Sequence, residues 1–327
     1  MATIETRNLG SRGPELTTIG FGCWAMGGAG WEFSWGPQND EESIRAVHVA
    51  LEQGINWFDT AAVYGLGHSE EVLGRALGSR RQDVIVATKF GMVWDDAGHI
   101  VKNGRYDSVP READASLRRL RTDYIDLYQM HWPDVETRAP IEETMRALDD
   151  LVAAGKVRYV GVSNFDVPLL QRAMAVRRVD SLQPPYNVLN RQAEDELLPF
   201  CREHGIGVVA YSPLASGLLS GRYTASTTFD PGDWRAYDPR FTGDGLRRNV
   251  EIVNRLKEIA ARSGKTVAQL AIAWVLANSA VTSAIVGVRW PDHILSALPA
   301  ASWHLDDATL REIDATLQSR RPAAVTP

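Results

Sequence analysis

The chain has 327 residues, 44% hydrophobic and 23% charged, with a net charge of -6. That is an ordinary composition for a soluble globular protein, long enough for one large α/β domain or two small ones. The negative balance and the lack of a dense Lys/Arg cluster argue against nucleic acid and against an anionic membrane as partners. Two cysteines, Cys23 and Cys201, cannot form a disulfide framework or a zinc-ligand set and read as reduced, partly buried thiols.

The opening "MATIETRNLGSRG" is polar and has no apolar signal core. Short apolar or β-branched runs follow, predicting strands over 16–22, 55–60, 84–90, 124–131, 157–163, 180–186, 206–212 and 282–288. Between them, helical patterns occupy 41–53, 69–79, 110–121, 140–154, 166–176, 193–204, 248–278 (two pieces, broken at "SGK") and 291–299, with a last helix over 306–318. Asn39 or Asp40 suits the start of the first helix and Thr266 a later one. The uncharged stretch 266–288 is long enough to span a bilayer, but Asn278, Ser279, Thr282 and Ser283 divide it into a helix, a turn and a strand. Cytoplasmic placement is therefore expected.

Eight strands alternating with helices predict a single domain over 1–327, a (β/α)8 TIM barrel, with 319–327 a frayed tail. Two long Gly- and aromatic-rich loops, 25–40 and 221–247, fall at the C-terminal mouth of such a barrel. The second holds Tyr223, Phe229, Trp234, Tyr237 and Phe241, which are expected to order over a bound dinucleotide.

The strands share polar C-terminal ends: Asp59, Lys89, His131, Ser163 with Asn164, Gln183, Tyr211 with Ser212, and Arg289. A barrel brings these to one rim. Taken singly, Lys89 is a solvated strand end and His131 a satisfied core histidine. Taken together with Tyr64, they suit carbonyl reduction, which needs a positioned proton donor. A tyrosine is a weak acid, with a pKa near ~10, and a neighbouring lysine lowers that value. A carboxylate keeps the lysine charged, and a neutral imidazole orients the substrate oxygen. On this reading Tyr64 is the acid, served by Lys89, Asp59 and His131. "GFGCWA" (20–25) mimics a dinucleotide fingerprint, with Glu41 and Glu42 beyond it, but the "MGGAGWEFSWG" that follows cannot be the helix such a motif opens. No Cys/His metal pattern is present in the sequence.

The blocks "FDTAAVYG", "SEEVLGRAL", "VIVATKFG", "RRLRTDYIDLYQMHWPD", "GKVRYVGVSNF", "LQPPYNVLNR", "VVAYSPLASGLLSGRY" and "AIVGVR" resemble the aldo-keto reductase superfamily in sequence and order, from about Leu9 to Leu317. "GDWRAYDPRF" and "GVRWPD" resemble its bacterial general-stress and inositol-catabolism-linked branch. The resemblance implies NAD(P)H-dependent, reversible reduction of aldehydes, ketones or sugar carbonyls, with Asp59, Tyr64, Lys89 and His131 as catalytic tetrad. It implies that Ser163, Asn164 and Gln183 hold the nicotinamide carboxamide and that Tyr211 stacks on its ring. It also implies that Ser212, Pro213, Leu214, Ala215, Gly217 and Arg222 cover the pyrophosphate, and that Gly287, Arg289 and His293 meet the adenosine phosphate. Gly22 and Trp24 complete the implied cofactor set.

Where many members carry a Glu-Asn pair on the last cofactor-binding helix, this chain has Ser296 and Ala297. NADP(H) is favoured through Arg289, with NAD(H) as the second option. Trp31, Trp35, Trp94 and Trp132 are read as lining the substrate pocket. Two further readings follow from the resemblance: a sugar or polyol dehydrogenase working in the oxidative direction, and a cofactor-sensing regulatory subunit similar to potassium-channel β subunits.

Overall fold

The computed structural model describes residues 4–318, so the expected frayed tail lies outside the described residues. In chain order it runs β1 (Thr6–Asn8), β2 (Glu15–Thr17), β3 (Ile19–Gly22), α1 (Asp40–Glu52), β4 (Trp57–Asp59), α2 (His68–Leu77), β5 (Ile85–Phe90), β6 (Met92–Trp94), β7 (Ile100–Lys102), α3 (Ser108–Leu120) and β8 (Ile125–Met130). It continues with α4 (Ile141–Ala153), β9 (Val157–Ser163), α5 (Val167–Val176), β10 (Ser181–Gln183), α6 (Leu197–His204), β11 (Gly207–Ala210), α7 (Gly243–Arg262), α8 (Val267–Ala277), β12 (Val281–Gly287), α9 (Pro291–Ala297) and α10 (Asp307–Gln318). Eight strands close a parallel barrel in the order β10-β11-β12-β3-β4-β5-β8-β9, the expected (β/α)8 architecture.

Local chemistry explains the helix starts. Asn39 accepts hydrogen bonds from the amides of Glu41 and Glu42, and three acids fill the first turn of α1. Asp166 caps α5, with a proline in its first turn, and Thr266 with Gln269 forms a capping box on α8. The uncharged stretch resolves into α8 and β12, and no described helix is long and apolar enough to cross a membrane.

Side chains alternate along each strand. Phe58, Val86, Tyr128 and Leu182 join the large core shared with the surrounding helices. Trp57, Ala87, Leu127, Val209 and Ile285 form a separate cluster together with Leu9 and Leu16. Leu9 follows β1 and Leu16 lies in β2, so the hairpin takes the start of the expected single strand over 16–22, which is split at Thr18. The split lets β2 pair with β1 while the carbonyls of Thr17 and Thr18 bond Ser283 Oγ and the Ala284 amide. Gly20 is needed here, because a Cβ would sit 2.1 Å from the Trp57 ring.

The second departure is the antiparallel β6–β7 hairpin, which follows β5 at the C-terminal mouth and was not among the expected strands. The third concerns 221–247. It contains a 3-10 turn (Trp234–Tyr237), and α7 begins at Gly243 rather than 248. Its aromatics pack on one another: Phe241 is buried, with Tyr223, Phe229 and Trp234 edge-on to it. Tyr237 is exposed.

Candidate active site

Strand register sets the site. At the C-terminal ends Gly287 pairs with Gly22, Gly22 with Asp59, Lys89 with Gln129, and Ser163 with Gln183. Asp59, Lys89 and Gln129 lie two residues beyond Trp57, Ala87 and Leu127, so they share the inward face and form a polar layer above the apolar plug.

Lys89 is buried. Its Nζ donates to Asp59 Oδ1 at 2.5 Å, to the Thr60 carbonyl at 2.8 Å and to Tyr64 Oη at 3.3 Å. The other carboxylate oxygen of Asp59 accepts from Gln183 Nε2 at 2.9 Å and Gln129 Nε2 at 3.3 Å. Burial alone would lower the Lys89 pKa, but Asp59 and then Tyr64 carry it above its ordinary value. The expectation that the lysine leaves Tyr64 more acidic needs correction. Burial pushes the phenol above its ordinary value, and the opposing pull of Lys89 does not overcome it. His131 follows β8, with its ring 5.7 Å from that of Tyr64 at a T-shaped angle. Burial, then the charge of Lys89, hold its pKa well below the usual histidine value, so the imidazole is neutral.

Tyr64 sits in a turn held against the 3-10 turn Trp24–Gly27. The two backbones touch at Gly27 and Gly65: with φ at +63°, Gly65 would place a Cβ 2.2 Å from the Gly27 carbonyl oxygen. This approach sets the Trp24 ring on Tyr64, with centroids 6.0 Å apart and planes 12° apart. Trp35 also stacks on Trp24 at 5.5 Å, and Trp31 tilts against Tyr64 at 5.9 Å. A cavity of about 690 Å³ opens on Trp31, Trp35 and residues near 97–98 and 230–233. Tyr64 is not in its lining, but Trp31, which is, packs against the Tyr64 ring. Trp94, on β6, faces the Arg119 guanidinium at 5.9 Å, and exposed Trp132 faces Lys102 at 5.7 Å. Among the described residues, neither ring packs on Tyr64 or on the indoles around it.

The implied cofactor residues fall into three groups. Asn164, at a left-handed φ of 62°, donates to the His131 carbonyl and to Ser163 Oγ, while Tyr211 Oη donates to its Oδ1 at 2.8 Å. Ser163 Oγ donates to the Gln183 carbonyl, which links this group to Asp59. The second group is the turn after β11. Ser212, Ala215, Ser216 and Gly217 all have positive φ, and Pro213 and Ala215 are buried beside half-buried Leu214. Three non-glycine residues in that region cost roughly 1–3 kcal/mol each, and such backbone forms anion-binding concavities of N–H groups. The third group joins Arg222, Arg289 and His293. The imidazole pKa is lowered by burial first, then by the charges of Arg222 and Arg289. The amides of Ala215 and Gly217 donate to the carbonyls of Ser212 and Leu214, and this strained turn with the basic side chains of Arg222 and Arg289 beyond it fits the phosphates of a nicotinamide dinucleotide.

Sequence reasoning did not identify Gln129, Gln38 or Arg235. Gln129 had a signal, a polar residue on the inward phase of an apolar strand. Gln38 bonds Arg289, and the Arg235 guanidinium bonds Tyr223 Oη and lies over the Trp35 ring; these are contacts between irregular loops, which no periodicity reveals.

Residues 18–318 match the Aldo/keto reductase family. The chain belongs to that family, whose members are NAD(P)H-dependent oxidoreductases. It is 36% identical over 319 residues to the aldo-keto reductase YhdN of Bacillus subtilis (strain 168), covering 97% of this chain and 94% of that one. It is 35% identical over 329 residues to an NADH-specific methylglyoxal reductase of Escherichia coli (strain K12), covering 97% and 98%. Among solved structures it resembles a glycerol dehydrogenase from Gluconobacter oxydans, with a TM-score of 0.90, 36% identity and coverage of 100% and 99%.

Proposed function

We propose that this aldo-keto reductase works as one barrel unit that reduces small aldehydes, ketones or sugar carbonyls, with Tyr64 as proton donor. The observation that carries this reading is Lys89 Nζ, hydrogen-bonded at once to Asp59, the Thr60 carbonyl and Tyr64 Oη. A bound nicotinamide dinucleotide supplies the hydride. As the carbonyl oxygen gains charge, Tyr64 releases its proton to it, and the ammonium stabilises the phenolate left behind. Asp59 keeps Lys89 charged and fixed. Neutral His131 donates a hydrogen bond to the same oxygen and sets its direction. Ser163, Asn164 and Gln183 bind the carboxamide, Tyr211 flanks the ring, and the 212–217 turn with Gly22 and Trp24 lines the dinucleotide cleft. Trp31 and Trp35 form the apolar wall for the substrate, and Trp94 and Trp132, expected to line the pocket, face Arg119 and Lys102 instead.

NADPH is preferred through Arg289, with His293 beside it, and NADH is also used. The preference is modest, because much of the Arg289 guanidinium is spent on loop carbonyls. A relative named NADH-specific supports that modesty. The likeness to a glycerol dehydrogenase favours a second reading, polyol oxidation by the same residues in reverse. Tyr64→Phe tests the main reading: reduction should fall by about a hundredfold or more, with dinucleotide affinity unchanged. Near-normal turnover would exclude Tyr64 as the acid. A substrate panel run in both directions decides between carbonyl reduction and polyol oxidation.

A further inference from the structure

Loop 25–40 brings Trp31 and Trp35 to the mouth, and its far end is fastened by one side chain from beyond β12. Arg289 Nε donates to Gln38 Oε1 at 3.0 Å, Nη2 to the Pro37 carbonyl at 2.7 Å and Nη1 to the Trp35 carbonyl at 3.5 Å. Gln38 Nε2 returns a bond to the Arg289 carbonyl at 2.8 Å. A guanidinium has five N–H donors in a fixed fork, so this pattern matches a loop with its carbonyls turned to one side. The held segment includes Trp35, which stacks on Trp24, which stacks on Tyr64. A contiguous set of contacts thus runs from the proposed adenosine end to the proposed proton donor.

We propose that Arg289 is a positioning residue for the substrate loop, acting through Trp35, whether or not a 2′-phosphate is present. The proposal deepens the oxidoreductase reading and rests on it. The loop carbonyls are neutral acceptors bonded to a cation, and such charge-assisted bonds are stronger than neutral ones. Without the guanidinium, segment 35–38 loses three bonds, at Gln38 Oε1 and at the Trp35 and Pro37 carbonyls, and keeps the weaker neutral bonds of Gln38 to Ser43 and to the backbone carbonyl of position 289. The indole wall then loosens while the hydrogen bonds of Lys89, which involve none of these residues, remain.

Arg289→Ala is measured with NADH, which has no 2′-phosphate. The carbonyl KM should rise about tenfold, the effect of losing one charge-assisted bond, with kcat and NADH affinity held within about threefold. In the dinucleotide-free protein, amide hydrogen exchange across 28–38 should speed by about tenfold. Arg289→Lys should restore neither, because a single ammonium cannot span three acceptors. Gln38→Ala should reproduce the faster exchange without altering the arginine, and it serves if Arg289→Ala fails to fold. If the NADH-driven KM and the exchange of 28–38 are unchanged, and only NADPH affinity falls, Arg289 is a phosphate ligand alone and the proposal is overturned. If the protein turns over no carbonyl at all, the carbonyl-reduction reading fails, and the exchange measurement alone decides the fate of the positioning role.

Discussion

Asp59 and Lys89 form a buried ion pair at 2.5 Å, and both remaining partners of the carboxylate are neutral amides from Gln129 and Gln183. Removing one member of a buried pair leaves a charge in a low-dielectric site, which costs about 3–5 kcal/mol, whereas removing both leaves no net charge behind. Lys89→Met should therefore lower unfolding stability toward the small end of that range, because the amides still serve Asp59. Asp59→Asn combined with Lys89→Met should recover most of the loss but none of the activity. Denaturant midpoints and turnover of the two variants check this. A Lys89→Met protein as stable as the wild type would mean that Asp59 does not depend on the ammonium.

This pair, and the rim that contains it, was legible because a barrel converts strand order into position. Once eight runs are placed in sequence, their polar C-terminal ends meet whatever the exact boundaries. What escaped has physical reasons. The β1–β2 hairpin joins short segments in which only Leu9 and Leu16 mark the buried side, and the apolar phase runs on through Thr18 into β3. The β6–β7 hairpin did carry a signal, "MVWDDAGHIVK", a turn between short apolar runs, hidden by its closeness to β5. The Gly27–Gly65 contact and the Arg289–Gln38 bonds are tertiary events between irregular segments, the latter 251 residues apart. The sequence also offered no way to weigh burial against Lys89 in setting the acidity of Tyr64.

Glu112 gives stability a pH dependence of known sign. Its carboxylate accepts from the Gly91 amide at 2.8 Å and from Ser108 Oγ at 2.9 Å, and burial pushes its pKa up from 4.5 to about 7. A folded pKa above the unfolded one means that the native state binds the proton more tightly. The stabilisation is complete below the unfolded value and is lost as pH rises through about 7. From pH 5 to pH 8 the wild type should lose about 2 kcal/mol relative to Glu112→Gln, which has no proton to lose. Urea unfolding of both proteins at several pH values measures this. Parallel curves would show that Glu112 ionises like a surface glutamate.

His131 and Tyr64 shift in opposite directions, and together they set the pH profile of reduction. Burial and then Lys89 depress the imidazole well below its ordinary 6.5, so the ring loses its proton before neutral pH is reached from the acid side. Burial, against the pull of Lys89, raises the phenol above its ordinary 10.0, so Tyr64 keeps its proton until strongly alkaline pH. Between about pH 6 and pH 9 neither group changes state, and kcat/KM for reduction at saturating dinucleotide should be flat. His131→Gln replaces one neutral hydrogen-bonding side chain with another. It should lower the plateau by about tenfold to a hundredfold without changing its shape. A step near pH 6.5 in the wild type that disappears in His131→Gln would show that the imidazole works as a cation, and the orienting role given to it would be wrong.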